Sequence, residues 1–281
     1  MQYDLLHLSV LRRSAGPLLD LLEDGEIPTR EAWLRSVLGR PIAFIHRGGR
    51  FHYAAQGGVD DVVIVGRIGR PITATENAPP EENLNEVTHS AWKAALALVD
   101  PRHHDDGQKV AMESIGAVGR PLALFESLAA QINSSDPPEP YVLEVSNIAE
   151  EATFWNFVSE NQGQIVDASF ELIAPNMFGQ EDDFDNEMKA MADEEKIKKV
   201  KFELENDEGL NLDTKRVRAT ARYATRGGGI IKAKTKTGKR FNSSQKGKKV
   251  PVPAAPRLKK GEQRESVLHL IKRSISTIFG S

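Results

Sequence analysis

The charges of this chain are segregated along its length, and that limits which parts can enter a core. From Thr214 to Ser281 there are 19 lysines and arginines against two acids, Glu262 and Glu265, a charge of +17. The preceding 213 residues carry 18 bases and 38 acids, a charge of −20, so the net charge of −3 is a near-cancellation. Lysine and arginine are almost never fully buried unless paired. A segment this basic has to lie on a surface, against an acidic neighbour or on a polyanionic partner.

The acidic part has the makings of a folded body. Hydrophobic residues make up 40% of the 281-residue chain and charged residues 27%, a balance that supports a core and argues against disorder. There is no cysteine, which excludes a disulfide framework, a thiolate metal site and a cysteine nucleophile. The longest apolar runs, Val62–Val65 and Ala94–Val99, are far shorter than a membrane-spanning helix requires. Met1–Leu6 lacks the charged and apolar regions of a secretory signal. A cytoplasmic protein without membrane attachment is expected.

Hydrophobic spacing along the body predicts alternating short strands and helices. Strands are expected over 3–11, 41–47, 50–55 and 59–67, with Gly48-Gly49 as a hairpin turn. Helices are expected after the caps Ser14 and Thr29. Residues 70–90, polar and rich in Pro and Asn, predict a long surface loop. Strands at 92–99 and 108–114 and a helix from Pro121 follow, and Ser134–Pro138 marks a boundary. Beyond it come a strand at 141–145, a helix at 150–161 and a strand at 165–173. A helix at 181–196, with its acids first and lysines last, and a strand at 200–204 complete the pattern. The expected fold class is α+β, with two lobes of mixed sheet and helices and a basic C-terminal segment. The lobes span 1–136 and 137–241, and 242–281 forms a basic linker and a terminal amphipathic helix. Three Gly-Arg-Pro tripeptides, at 39–41, 69–71 and 119–121, have unequal spacing and are expected to punctuate turns.

Within the basic segment, Lys232, Lys234 and Lys236 alternate with Ile231, Ala233, Thr235 and Thr237. As a strand, this stretch sets three ammonium groups on one face, a track for phosphates. The preceding Gly227-Gly228-Gly229 either lets backbone amides approach a phosphate or simply forms a loop. The candidate nucleic-acid contacts are Arg216, Arg218, Arg222, Arg226, Lys232, Lys234, Lys236, Lys239, Arg240, Lys246, Lys248 and Lys249. A lysine-rich strand is also a common protected sheet edge, and it could pair with the acidic body instead.

Catalytic patterns are sparse. No nucleotide-binding loop, dinucleotide fingerprint or HExxH motif is present. His103-His104-Asp105-Asp106 is the densest titratable cluster, but four consecutive positions rarely close a metal site, and a solvated loop is the expected outcome. Glu187-Met188-Lys189 has a nuclease-like Glu-x-Lys spacing, yet it falls in an expected helix where nucleases use a strand. Phe154, Trp155 and Phe157 are expected to be core. No catalytic residue, metal ligand or cofactor is assigned.

The run Asp167–Pro175, the strand Val200–Leu204, the turn Asp207-Glu208-Gly209 and the segment Gly227–Ile231 together resemble a layout of uncharacterised bacterial phage-defence proteins. The layout is also similar to the phage Rex exclusion protein A type, over about residues 140–235. The resemblance implies an oligomeric, DNA-binding accessory protein without its own catalysis, and it transfers no residue role. Three functions are therefore weighed. The first is a non-enzymatic nucleic-acid-binding protein, DNA favoured over RNA, acting as accessory or sensor in anti-phage defence. The second is a metal-dependent nuclease. The third is a scaffold subunit whose basic tail binds an acidic protein, including another copy of the chain.

Overall fold

The computed structural model describes residues 2–13, 27–59, 62–102, 104, 108–173, 183–195, 197, 199–245, 247–251 and 279. It has an α+β architecture with two antiparallel sheets, each backed by helices. The strands of the first sheet are β1 (Gln2–Arg12), β2 (Ile42–His46), β3 (Gly49–Val59), β4 (Val63–Asn77), β5 (Glu86–Asp100), β6 (Gln108–Glu113), β7 (Tyr141–Asn147) and β12 (Lys249–Pro251). Their order is β12-β1-β6-β5-β4-β3-β2, and β7 lies beside β1 on the same side as β12. The helix expected after Ser14 and nearly all of the expected terminal helix lie outside the described residues.

Both faces of this sheet are covered. Leu6, Leu8 and Val10 of β1 point to one face and Tyr3 and Leu5 to the other, as a period of two requires. On the first face pack α1 (Arg30–Leu38), through Trp33, Leu34, Val37 and Leu38, and α2 (Pro121–Asn133), through Leu124, Phe125, Leu128 and Ile132. Thr29 caps α1 by accepting a hydrogen bond from the Ala32 amide at 3.2 Å. On the second face Leu5, Val65, Leu98 and Val250 form a smaller cluster that Phe279 joins.

Residues 70–90 are not a loop. They form the outer half of a long hairpin in which β4 and β5 stay paired from Ile64↔Val99 to Asn77↔Glu86. Its outer residues are mostly exposed on both sides, so no strong alternation of apolar residues betrays it. The backbone ladder holds it, with the Asn77 side chain donating to the Leu84 carbonyl at its tip and Trp92 against His52. β3 pairs with β4 only as far as Gly69, so Pro71 sits on an edge where its missing N–H costs no ladder bond. Gly69-Arg70-Pro71 is therefore mid-strand and not a turn.

The second sheet has the order β11-β10-β8-β9, from β8 (Ile165–Ile173), β9 (Lys199–Glu205), β10 (Gly229–Thr235) and β11 (Arg240–Asn242). Three helices cover one of its faces: α3 (Glu151–Glu160), α4 (Asp183–Glu194) and α5 (Lys215–Tyr223). Phe154, Met188, Val217, Ala221 and Tyr223 from these helices share a core with Phe170, Leu172, Ile231 and Ala233 of the sheet. Thr214 caps α5 by accepting from the Val217 amide. Among the described residues no helix is long and apolar enough to cross a membrane.

The glycine run is a joint between the two sheets. All three glycines are buried. Gly227 has φ +103°, and a Cβ there would stand 2.2 Å from the Cβ of His7 on β1. The Ser146 hydroxyl donates to the Gly227 carbonyl at 2.6 Å, and the Ala149 amide donates to the Thr225 carbonyl at 3.0 Å. The glycines thus bring backbone against a side chain of β1 and are not an open phosphate loop. Backbone strain and overpacking at one position together make Gly227→Ala destabilising by about 2–4 kcal/mol. Gly116→Ala, where a Cβ meets nothing within 4 Å, should stay within about 0.5 kcal/mol of wild type. Urea unfolding of the two variants checks the contrast.

Candidate nucleic-acid interface and adjoining cleft

The lysine alternation takes the predicted form for two of the three lysines, because the strand ends at Thr235 and leaves Lys236 in the turn beyond it. Along β10, Ile231, Ala233 and Thr235 are buried while Lys232 and Lys234 are exposed on the face away from the helices. Lys236, Lys239 and Arg240 follow, also exposed, around the turn that carries β10 into β11. Register places Lys234 directly opposite Arg240, and Lys232 opposite Asn242. Like charges placed directly across a ladder repel, so this pair costs stability, an effect that Asp167 on the other side of Lys234 offsets in part.

The other half of the same face has the opposite sign. β8 sets Asp167 beside Lys234, and β9 sets Glu205 beside Asp167 and Glu203 beside Ser169. Read across the strands, the row Arg240, Lys234, Asp167, Glu205 runs plus, plus, minus, minus. Lys201 pairs with Glu203 within the acidic half.

The predicted arginines fall elsewhere. α5 buries Val217 and Ala221 in the core on the helix side of the sheet, so its arginines and the β10 lysines lie on opposite sides of that sheet. The Arg216 guanidinium lies 5.4 Å from the Phe202 ring centroid, and Arg218 lies 4.8 Å from that of Trp155. Arg218 also pairs with Asp213 at 2.6 Å, and this hydrogen bond and charge hold the Asp213 carboxyl below its usual range. Arg222 is exposed, and Arg226 is half-buried in the π-helical turn Ala224–Gly228. Lys249 is exposed on β12 of the first sheet, Lys248 is exposed just before it, and Lys246 lies outside the described residues.

Where the lysine strip reaches Gly229 and Ile230 it meets a cleft of about 760 Å³ between the sheets. The first turn of α2 forms one wall, β7 another, and Ser243, Ser244, Gln245, Gly247 and Lys249 a third. Arg47, Arg120 and Lys249 line this cleft together with Asp4 and Glu126. A second cavity of about 370 Å³ shares Glu126, Ser146 and Ile230 with it and continues towards Glu171 and Lys199. His46 Nδ1 and the Ser127 hydroxyl, 2.8 Å apart, fasten the β2–β3 turn to α2 and so bring Arg47 to the cleft. Burial, with the Arg47 charge beside it, holds the His46 pKa below its ordinary value. Burial raises the Glu126 pKa, and Lys199 opposes the shift. Neither Arg47 nor Arg120 was legible as a site residue from sequence, although Arg120 belongs to a Gly-Arg-Pro tripeptide that delivers proline to the first helical position.

The titratable cluster is only partly described. His103, Asp105 and Asp106 lie outside the described residues, whereas His104 Nε2 sits 2.9 Å from an oxygen of the fully buried Asp100. Arg102 bonds the same carboxylate at 2.6 Å. Burial raises the Asp100 pKa, but the hydrogen bonds from Arg102 and His104 outweigh it and leave the carboxyl below its usual range. Among the described residues no group of three or more His, Asp or Glu side chains could hold a metal ion. Glu187-Met188-Lys189 lies in α4, with Met188 buried in the core. No family model, curated protein or solved structure matches this chain.

The cross-strand repulsion at Lys234 and Arg240 has a measurable sign. Arg240→Thr should raise stability by about 0.2–1 kcal/mol, because it removes the like charge and adds a β-branched residue. Thermal unfolding at low ionic strength, where surface charges are least screened, reads this gain.

Proposed function

We propose that the protein binds nucleic acid, double-stranded DNA above all, through its phosphates and without catalysis of its own. The observation that carries this reading is the Lys234–Arg240 pair, two like charges held opposite one another beside Lys232, Lys236 and Lys239. Alternate residues of a strand are about 6.6–6.8 Å apart, a spacing comparable to that of neighbouring phosphates along one DNA strand. Lys232 and Lys234 are therefore spaced to meet phosphates of one strand. The resemblance to phage-defence proteins supports an accessory or sensor role in an anti-phage system.

A second reading rests on the acidic half of the same face. A twofold axis parallel to the strands, between β10 and β8, would set the basic half of one copy over the acidic half of another. On that reading the basic surface binds a second copy of the chain, and the lysines serve self-association.

Replacing Lys232, Lys234 and Lys236 together with Glu should weaken duplex binding at least about a hundredfold at low salt, regardless of sequence. For the wild type, five phosphate contacts predict a slope of log affinity against log salt of about −4 to −5, shallower in the variant. Gel shifts across a salt series measure both. Unchanged affinity in the triple variant would overturn the assignment of this face. Salt-sensitive dimers that ignore added DNA, seen by analytical ultracentrifugation, would favour self-association.

A further inference from the structure

We propose that the cleft at the end of the lysine strip binds a nucleoside 5′-phosphate, either as a free nucleotide or as the phosphorylated end of a bound strand. The strand-end form rests on the nucleic-acid reading above, whereas the free-nucleotide form does not.

Position comes first. Ile230 lines the cleft, and Lys232, the next residue on the same face of β10, begins the strip. A strand lying on the lysines therefore points its terminus into the cavity. The cavity's volume of about 760 Å³ falls in the range of about 300–1,000 Å³ usual for small-ligand sites.

Charge comes second. Arg47, Arg120 and Lys249 arrive from three separate parts of the chain, and no acid among the described residues forms an ion pair with any of them. Register sets Lys249 opposite Asp4 on β1 without an ion pair between them, so three unpaired cations converge on a concave site. They suit a dianionic phosphomonoester, and the two guanidiniums can each bond it in bidentate fashion.

Backbone geometry agrees on two counts. Arg47 is held at φ +49° in the β2–β3 turn, a left-handed conformation that asparagine or glycine adopts more readily. With Gly48 at φ +76°, it occupies the two-residue hairpin turn whose central residues both need positive φ, and that turn sets Arg47 at the mouth of the cleft. At the start of α2, Arg120 provides no side-chain cap and Pro121 has no N–H. The Leu122 and Ala123 amides are left without helical partners, and both residues line the cleft.

The carboxylates define the rest of the ligand. Asp4 and Glu126 share the cavity with the cations, which disfavours a bare polyanion filling it. They can accept hydrogen bonds from ribose hydroxyls or base amino groups, so the site suits a molecule with a phosphate at one end and donors at the other. A nucleotide has that composition, and inorganic phosphate does not.

The test uses the full chain, adenosine 5′-monophosphate, adenosine, and two short duplexes that differ only in 5′-phosphate or 5′-hydroxyl ends. Calorimetry should show the monophosphate binding and adenosine at least about tenfold weaker, and anisotropy should show about tenfold tighter binding of the phosphorylated duplex. Arg47→Ala and Arg120→Ala should abolish both differences, Arg120→Lys should restore part of them, and unfolding midpoints of all three should confirm that they fold. Lys232→Glu with Lys234→Glu should leave monophosphate binding intact. If the two duplexes bind equally and the monophosphate does not bind, the cleft proposal is overturned and the strip assignment stands. If neither duplex binds while the monophosphate binds through Arg120, the cleft is a nucleotide site and the strip assignment fails.

Discussion

The structure depends on one strand with hydrogen-bonding partners along both edges. β1 takes β6 along one edge and both β7 and β12 along the other. At Leu5 the two partners of that edge meet. The Leu5 amide donates to the Lys248 carbonyl at 3.0 Å, the Ile148 amide donates to the Leu5 carbonyl at 3.2 Å, and the Lys248 amide closes the ring on the Ile148 carbonyl at 2.7 Å. Three distant stretches of backbone satisfy one another there, in a strand whose side chains are buried on both faces. The second sheet is thereby fixed at both of its connections, and Gly227 is pressed against His7 of the same strand. The cleft lies beside these connections, so the element that joins the sheets also shapes the cavity between them.

Charge segregation takes a finer form in three dimensions than along the chain. The basic segment supplies α5 to one face of the second sheet and the exposed lysines of β10 to the other, which splits its cations into two groups. On the outer face, acidic strands from the body complete a surface with one positive and one negative half. Strands lie about 4.8 Å apart, inside a Debye length of about 8 Å at physiological salt, so the two halves feel one another unscreened. Lys234 therefore has a repulsive neighbour in Arg240 and an attractive one in Asp167, and its availability to an outside anion reflects the balance.

What could be read from the sequence was what repeats. The alternation through Lys232, Lys234 and Lys236 identified the strand and its exposed face, because period two is a property of the backbone. The stripes in α2 and α3 were legible for the matching helical reason, and the α+β class followed from the order of elements. The outer β4–β5 hairpin was hidden because neither of its faces is buried, so its residues bear no pattern. α5 was hidden by its own arginines, with only Val217, Ala221 and Tyr223 to show an apolar side. The glycine run was ambiguous, since a close approach to His7 and a close approach to a phosphate ask for the same residue. The cleft could not be seen at all: Arg47, Arg120 and Lys249 become neighbours only when a hairpin tip, a helix start and a late strand fold together.

β7 and β12 lie end to end along the same edge of β1, and where the chain leaves one and enters the other Ala149 and Gly247 form a bridge. Paired backbones are about 4.8 Å apart, so the roughly hundred residues between them begin and end within the reach of a single short turn. Such an arrangement makes that stretch exchangeable. A host tolerates changes of length between two adjacent strand ends, provided the ends stay together and the contacts at the joint, Gly227 against His7 and Thr225 against Ala149, are kept. The first sheet can thus be regarded as a chassis, and the lysine-bearing sheet as a cartridge that could have been acquired, replaced or diversified without rebuilding it.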